Sequence, residues 1–192
     1  MKHIAVIVLL GVLMTGCAFT PHNANVEMKQ PKPVSSTVAE GTTILLTVVD
    51  ERDEPDLGRR GAGINVAKIR SEELFPKFTR VVEDGFRAKG YELTYKSGSA
   101  DAKLVVALRT LKFEESAGFF TVGAEADATI LAEAERGDDE YRNQYRSSDE
   151  DRQLAVSFGE GIDEQLSLVM NEVMEQLFSD NRLDSFLTGQ YQ

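Results

Sequence analysis

The sequence predicts an α+β fold: a two-layer sandwich with a mainly antiparallel sheet and two helices packed on one face. Three observations lead to it. Residues 74–86 and 162–178 repeat apolar side chains at helical spacing. Residues 119–135 alternate apolar and polar side chains throughout. The order along the chain is strand, helix, several strands, helix.

The chain opens Met1-Lys2-His3, runs almost unbroken apolar over residues 4–13, and continues Met14-Thr15-Gly16-Cys17. A positive start, an apolar run of about 7–15 residues and small residues at the cut describe a secretory signal peptide. The run falls short of the roughly 20 apolar residues that a membrane-spanning helix needs. Thr15-Gly16-Cys17 resembles a bacterial lipobox, with Met14 where Leu is commoner. That resemblance implies that residues 1–16 are removed and that Cys17, the only cysteine, carries the lipid. One acyl chain holds a protein marginally, and two or more hold it stably. Ala18 in place of Asp implies, by bacterial sorting rules, the outer membrane with the domain facing the periplasm.

About 175 residues remain after cleavage, enough for one domain with a proper core. Loss of Lys2 takes the net charge from −11 to −12. Such a chain is a poor partner for nucleic acid, whose binding relies on Lys and Arg neutralising phosphates. Anionic lipid heads would repel it too, so the lipid must do the holding. The two histidines are His3, in the signal, and His22. A domain with neither His nor Cys cannot run Ser-His-Asp or Cys-His catalysis or hold a Cys/His zinc ion. The expectation is no enzyme, no metal and no cofactor.

Residues 17–41, interrupted by Pro21, Pro31 and Pro33, read as the lipidated cysteine and a flexible tether able to reach roughly 80 Å at about 3.3 Å per residue. The alternative is that residues 34–38 fold back as an edge strand. The single domain spans 42–192. Residues 42–50 are apolar and β-branched, a buried first strand. The charged, Pro- and Gly-punctuated stretch 50–63 is a loop, and 64–69 a short edge strand. Ser71 is placed to cap the first helix, with Leu74, Phe78, Val81, Val82, Gly85 and Phe86 on its apolar stripe and Lys89-Gly90 at its end. Strands are expected at 91–95 and 103–114, with a turn at 115–118. Strand 119–135 follows, with alanines on its inner face leaving room for a helix. Arg136-Gly137-Asp138-Asp139 is a hairpin turn, 140–147 a returning strand and 148–151 a loop. Ser157 and Glu160 fit a capping box. The helix behind it carries Ile162, Leu166, Val169, Met170, Val173, Leu177 and Phe178 on one stripe, and residues 179–181 break it.

The candidate sites are weak one by one. Asp50, Glu51, Asp53, Glu54 and Asp56 could offer oxygens to Ca²⁺, but lack the EF-hand spacing and its glycine. Pairs of Asp50 or Asp53 with Arg52, Arg59 or Arg60 are the better reading. Glu125 and Asp127 have the separation of glycosidase carboxylates only because any i, i+2 pair on a strand does; the absence of Trp also removes the usual sugar platform. Phe119, Phe120, Tyr141 and Tyr145 read as core before contact surface. Ordered loops often carry recognition, so the candidate recognition residues are Asp50, Arg52, Asp53, Asp56, Arg59 and Arg60.

Several short features then fall in order: Cys17, the strand ending Val48-Val49-Asp50-Glu51-Arg52, Leu57-Gly58, Arg87-Ala88-Lys89-Gly90-Tyr91 after the first helix, and the terminal helix with Phe186. In that order and spacing, nearly the whole chain resembles the YajG family of bacterial lipoproteins. The resemblance implies a periplasm-facing lipoprotein without established enzymatic activity, and carries over no catalytic residues. The order of elements is also similar, more distantly, to periplasmic auxiliary lipoproteins of envelope transport and assembly machines. The expectation is an outer-membrane-anchored binding or accessory protein with an envelope protein partner. The alternative is a small-ligand or glycan binder whose cleft lies between the helices and the 51–63 loop, for which an apolar pocket would speak. An exposed edge strand would permit pairing of copies, a homo-oligomer.

Overall fold

The computed structural model describes residues 21–30, 39, 41–60, 67–117, 122–153 and 159–190. The signal peptide, Cys17, the 34–38 segment, Phe119, Phe120 and Ser157 lie outside them. The described strands are β1 (His22–Asn23), β2 (Thr43–Asp50), β3 (Gly58–Arg60), β4 (Ala67–Arg70), β5 (Glu92–Thr94), β6 (Ala102–Ala117), β7 (Val122–Arg136) and β8 (Asp139–Gln153). The helices are α1 (Leu74–Ala88), α2 (Gly159–Phe178) and α3 (Asn181–Thr188).

The sheet is mixed, which corrects the expected mainly antiparallel two-layer sandwich with two helices. β1/β4, β2/β5, β2/β6 and β3/β6 pair parallel; β3/β4, β6/β7 and β7/β8 pair antiparallel. The reason is connectivity. Apolar–polar alternation decides which face a strand buries, not which way it runs. A chain that leaves β2, passes through helix α1 and returns to β6 comes back parallel, because it has crossed over the sheet. Three helices are described, the third being α3.

β6 is the spine. Along one edge it pairs with β7 from Lys103 to Ala117. Its other edge therefore takes both β2, over Ala102–Leu108, and β3, over Phe113–Glu114. A bulge lies between Leu108 and Thr110. It shifts the inward phase by one residue, so that Leu104, Val106 and Leu108, and then Leu111 and Phe113, all reach the core.

One core holds the molecule together. On β7, Ala124, Ala126, Ala128, Ile130, Ala132 and Ala134 are buried beneath α2, whose Ile162, Leu166, Val169, Met170, Val173 and Leu177 are also buried. Each large apolar side chain so placed stabilises by about 1.5–3 kcal/mol. The α1 stripe is buried as expected, including Leu74, Phe78 and Phe86. Ser71 does not cap α1: the N-cap is Glu73, with no side-chain cap. A buried ion pair joins the helix ends. Lys89 Nζ lies 2.6 Å from Asp184 Oδ2 and donates to the Phe178 carbonyl, while the Tyr91 hydroxyl donates to Asp184 Oδ1.

Residues 22–30, read from the sequence as tether, lie on the domain. β1 adds to β4, and Ala24 and Val26 are buried. His22 Nε2 sits 2.7 Å from Asp163 Oδ1, and the Glu27 and Lys29 amides donate to Ser167 and Asn171 of α2.

Candidate functional site

The loop singled out in the sequence arches over the break between β2 and β3. Its entry is fixed by the Glu51 amide donating to the Leu108 carbonyl, its exit by the Phe113 amide donating to the Leu57 carbonyl. Leu57 is fully buried and pins the exit. Gly58 has φ 118°, and a Cβ there would stand 1.9 Å from the Phe113 carbonyl oxygen. Only glycine lets β3 approach β6 this closely. Between these fixed ends lies an open cleft of about 450 Å³.

The cleft is charged. Arg52, Asp53, Glu54, Asp56 and Arg59 line it from the loop and β3, Lys68 from β4, and Arg109, Lys112 and Glu114 from β6. Asp50 stands behind Arg52 and holds it with two hydrogen bonds of 2.8 Å, from Nε and Nη2. That hydrogen-bonded guanidinium lowers the Asp50 pKa. The Arg52 side chain is only 8% exposed, and its Nη1 has no hydrogen-bond partner among the described residues. Asp56 accepts from Lys68 at 2.6 Å and from Arg70 at 2.8 Å, and those two cations lower its pKa. Arg109 pairs with Glu51 at 2.8 Å. Among the described residues, Arg59, Asp53 and Glu54 have no side-chain partner, and all three are exposed. No group of three or more His, Cys, Asp or Glu among the described residues converges as a metal site.

Of the six recognition residues, Arg52, Asp53, Asp56 and Arg59 line the cleft and Asp50 supports it from behind. Arg60 does not line it and sits in β3 opposite Ala67. Lys68, Arg109, Lys112 and Glu114 were not foreseen. Their signal was the slip of the apolar phase from Leu108 to Leu111, which marks a bulge beside an unpaired edge. The cleft lies between the loop and β6, not between the loop and the helices, and it is charged where a small-ligand pocket was expected to be apolar. Glu125 and Asp127 do not line it; they face Glu114 and Lys112 across the β6/β7 ladder.

Tyr141 and Tyr145 hold a helix end. Asp180 Oδ2 accepts from the Tyr141 hydroxyl at 2.6 Å, the Tyr145 hydroxyl at 2.7 Å and Asn143 Nδ2 at 3.0 Å. Its Oδ1 accepts the Arg182 and Leu183 amides and so caps α3. Burial pushes the carboxyl up, but the donors outweigh it and leave its pKa at about 2. Burial and the same carboxylate push the Tyr141 hydroxyl up to about 12, and burial raises Tyr145 as well.

Comparison with known proteins places the chain. A family model described as "uncharacterized lipoprotein" matches residues 29–188. No curated protein matches the chain. Among solved structures, protein XCC0632 from Xanthomonas campestris is similar in fold, with a TM-score of 0.54 at 11% identity over 91% of this chain and 100% of that one. A neuraminyllactose-binding hemagglutinin homologue from Helicobacter pylori gives a TM-score of 0.44 at 11% identity, over 88% of this chain and 98% of that one. Lipoprotein GNA1162 from Neisseria meningitidis gives 0.32 at 10% identity, over 70% and 99%. No helix among the described residues is long and apolar enough to cross a membrane. The chain belongs to this uncharacterized, YajG-type lipoprotein family.

Proposed function

We propose that this member of the lipoprotein family is an accessory protein of the bacterial envelope, anchored by lipid on Cys17 to the outer membrane and facing the periplasm. It has no enzymatic activity of its own and binds an envelope protein partner through the cleft between the 51–57 loop and β6. The observation that carries this reading is the cleft's lining. Nine of its twelve residues are charged, in both signs. Such a surface brings neither His nor Cys to a substrate and gives a small ligand little apolar seat. It suits a polar partner surface, where opposed charges set register and suppress wrong partners.

The docked N-terminal segment supports a membrane-close position. If Cys17 carries the lipid, five residue steps separate it from His22, about 17 Å at full stretch. The cleft then works beside the bilayer, within reach of the exposed segments of membrane proteins. In-cell photo-crosslinking tests the reading. A crosslinking residue at position 59 should capture a defined envelope protein that one at position 144, on the far edge, does not. A Cys17→Ala form should lose the capture. No adduct from any surface position would overturn the reading.

A further inference from the structure

We propose that the break in the β6 edge is a seat for an extended segment of the partner protein, added there as a short strand. This rests on the partner-binding reading and names what part of the partner is held.

The strand ladder shows the seat. β2 pairs with β6 up to Asp50↔Leu108, and β3 resumes on the same edge at Gly58↔Phe113. Residues 109–112 keep strand geometry, and 110–112 keep their β7 partners with Arg109 as the bulged residue, yet none has a strand on the β2/β3 side among the described residues. The gap from Leu108 to Phe113 spans about 17 Å, room for about four residues of extended chain. The Phe113 amide faces β3. Alternation from it directs the Leu111 N–H and C=O into the gap. Leu111 is only 2% exposed, and among the described residues no backbone hydrogen bond crosses to it from residues 52–56. Buried main-chain groups without partners are rare in folded proteins.

A second group asks for the same kind of ligand. Arg52 lines the cleft, is held rigidly by Asp50, and is more than nine-tenths buried, with Nη1 unpartnered. A carbonyl or carboxylate oxygen is what that donor lacks. A peptide main chain brings an N–H for the Leu111 carbonyl, a C=O for its N–H, and further carbonyls for Arg52. At the rim, Arg59 on one side and Asp53 and Glu54 on the other are exposed and, among the described residues, unpaired. They select a segment carrying an acidic and a basic residue. Main-chain pairing gives affinity and side chains give choice, as in strand addition generally.

The test uses the full lipidated chain in detergent, panned against displayed random heptapeptides, with the enriched peptide resynthesised. Enriched peptides should carry both an acidic and a basic residue. N-methylation of the central amide should weaken binding about tenfold, the loss of one good hydrogen bond. Arg59→Glu, at an exposed position that leaves the fold intact, should weaken it by a similar factor. Amide exchange at Leu111 should slow when the peptide is added. Absence of enrichment would overturn the proposal, as would peptides indifferent to both changes. Arg59-dependent binding of phosphatidylglycerol vesicles in place of peptide would also overturn it, in favour of a lipid headgroup. In-cell adducts from another face with the cleft silent would sink this inference, and with it the cleft as the binding face, while leaving partner binding itself standing.

Discussion

At the residue scale, Gly58 and Asp180 control structure well out of proportion to their size. Gly58→Ala puts a methyl group 1.9 Å from the Phe113 carbonyl oxygen, at a φ that side chains resist. That neighbour is backbone and cannot swing aside, so β3 must lift from β6. We expect a loss of about 2–4 kcal/mol by urea unfolding, with amide protection at Phe113 lost first. Asp180 gives a pH signature. Its folded pKa, about 2, lies below the ordinary value of 3.8. Its stabilisation is therefore complete above about pH 4 and fades as pH falls through the folded value. After allowance for solvent screening it is worth about 1–2 kcal/mol. Asp180→Asn should unfold more easily at pH 7, and the difference from the parent should shrink between pH 4 and 2. A constant difference down to pH 2 would show that the carboxylate charge plays no part. From sequence, Asp180 was legible as a helix break, since Ser179-Asp180-Asn181 interrupts an apolar stripe. Gly58 was not: a glycine beside arginines reads as flexibility, and only the close approach of β6 shows what it is for.

At the element scale, periodicities are legible in the sequence and connections are not. The stripes of α1 and α2 and the inner alanines of β7 are buried as their spacing required, because burial is what imposes such spacing. Direction leaves no such trace in β2 or β6 themselves; the helix between them is its clue. Residues 148–151 read as a loop for being charged, yet they continue β8 to Gln153. The charge is the mark of an edge. Gly137, with φ 61°, stands first in the two-residue turn, so Arg136 and Asp139 close a hydrogen-bonded pair. Even-numbered residues of β8 then turn their main chain outward. Two of these groups are already capped, the Gln144 amide by Asn143 Oδ1 and the Arg146 carbonyl by Gln176 Nε2. Charge and local caps together blunt the edge. Arg142→Val with Arg146→Val should unblunt it and produce concentration-dependent association in sedimentation velocity. A variant that stayed as dispersed as its parent would show the caps alone suffice.

At the scale of the whole molecule, a lipid on Cys17, as proposed, would let the docked N-terminal segment decide which side faces the bilayer. β1 runs parallel to β4, with His22 opposite Ile69, and β4 sets Lys68 opposite Arg59. The chain thus arrives beside Lys68, two strand spacings, or about 10 Å, from the β3 rim of the cleft. Adding the five-residue reach from Cys17 puts that rim within about 30 Å of Cys17, the proposed point of lipid attachment. This arrangement was hidden in the sequence, because residues 18–30 have a linker's composition, and the side chains that tie the segment down, His22, Ala24 and Val26 among them, form no recognisable pattern. The consequence can be measured. A fluorophore on Cys at position 59 of the anchored protein should be quenched by headgroup-labelled lipid. Inserting about twenty Gly and Ser residues between Phe19 and Thr20 should relieve the quenching, since a flexible chain of that length has an end-to-end distance of about 25 Å. Val26→Asp should act in the same direction, by putting a charge where the core admits none and freeing the segment from α2. If quenching were the same with and without the insert, the docked segment would not be what holds the cleft at the membrane.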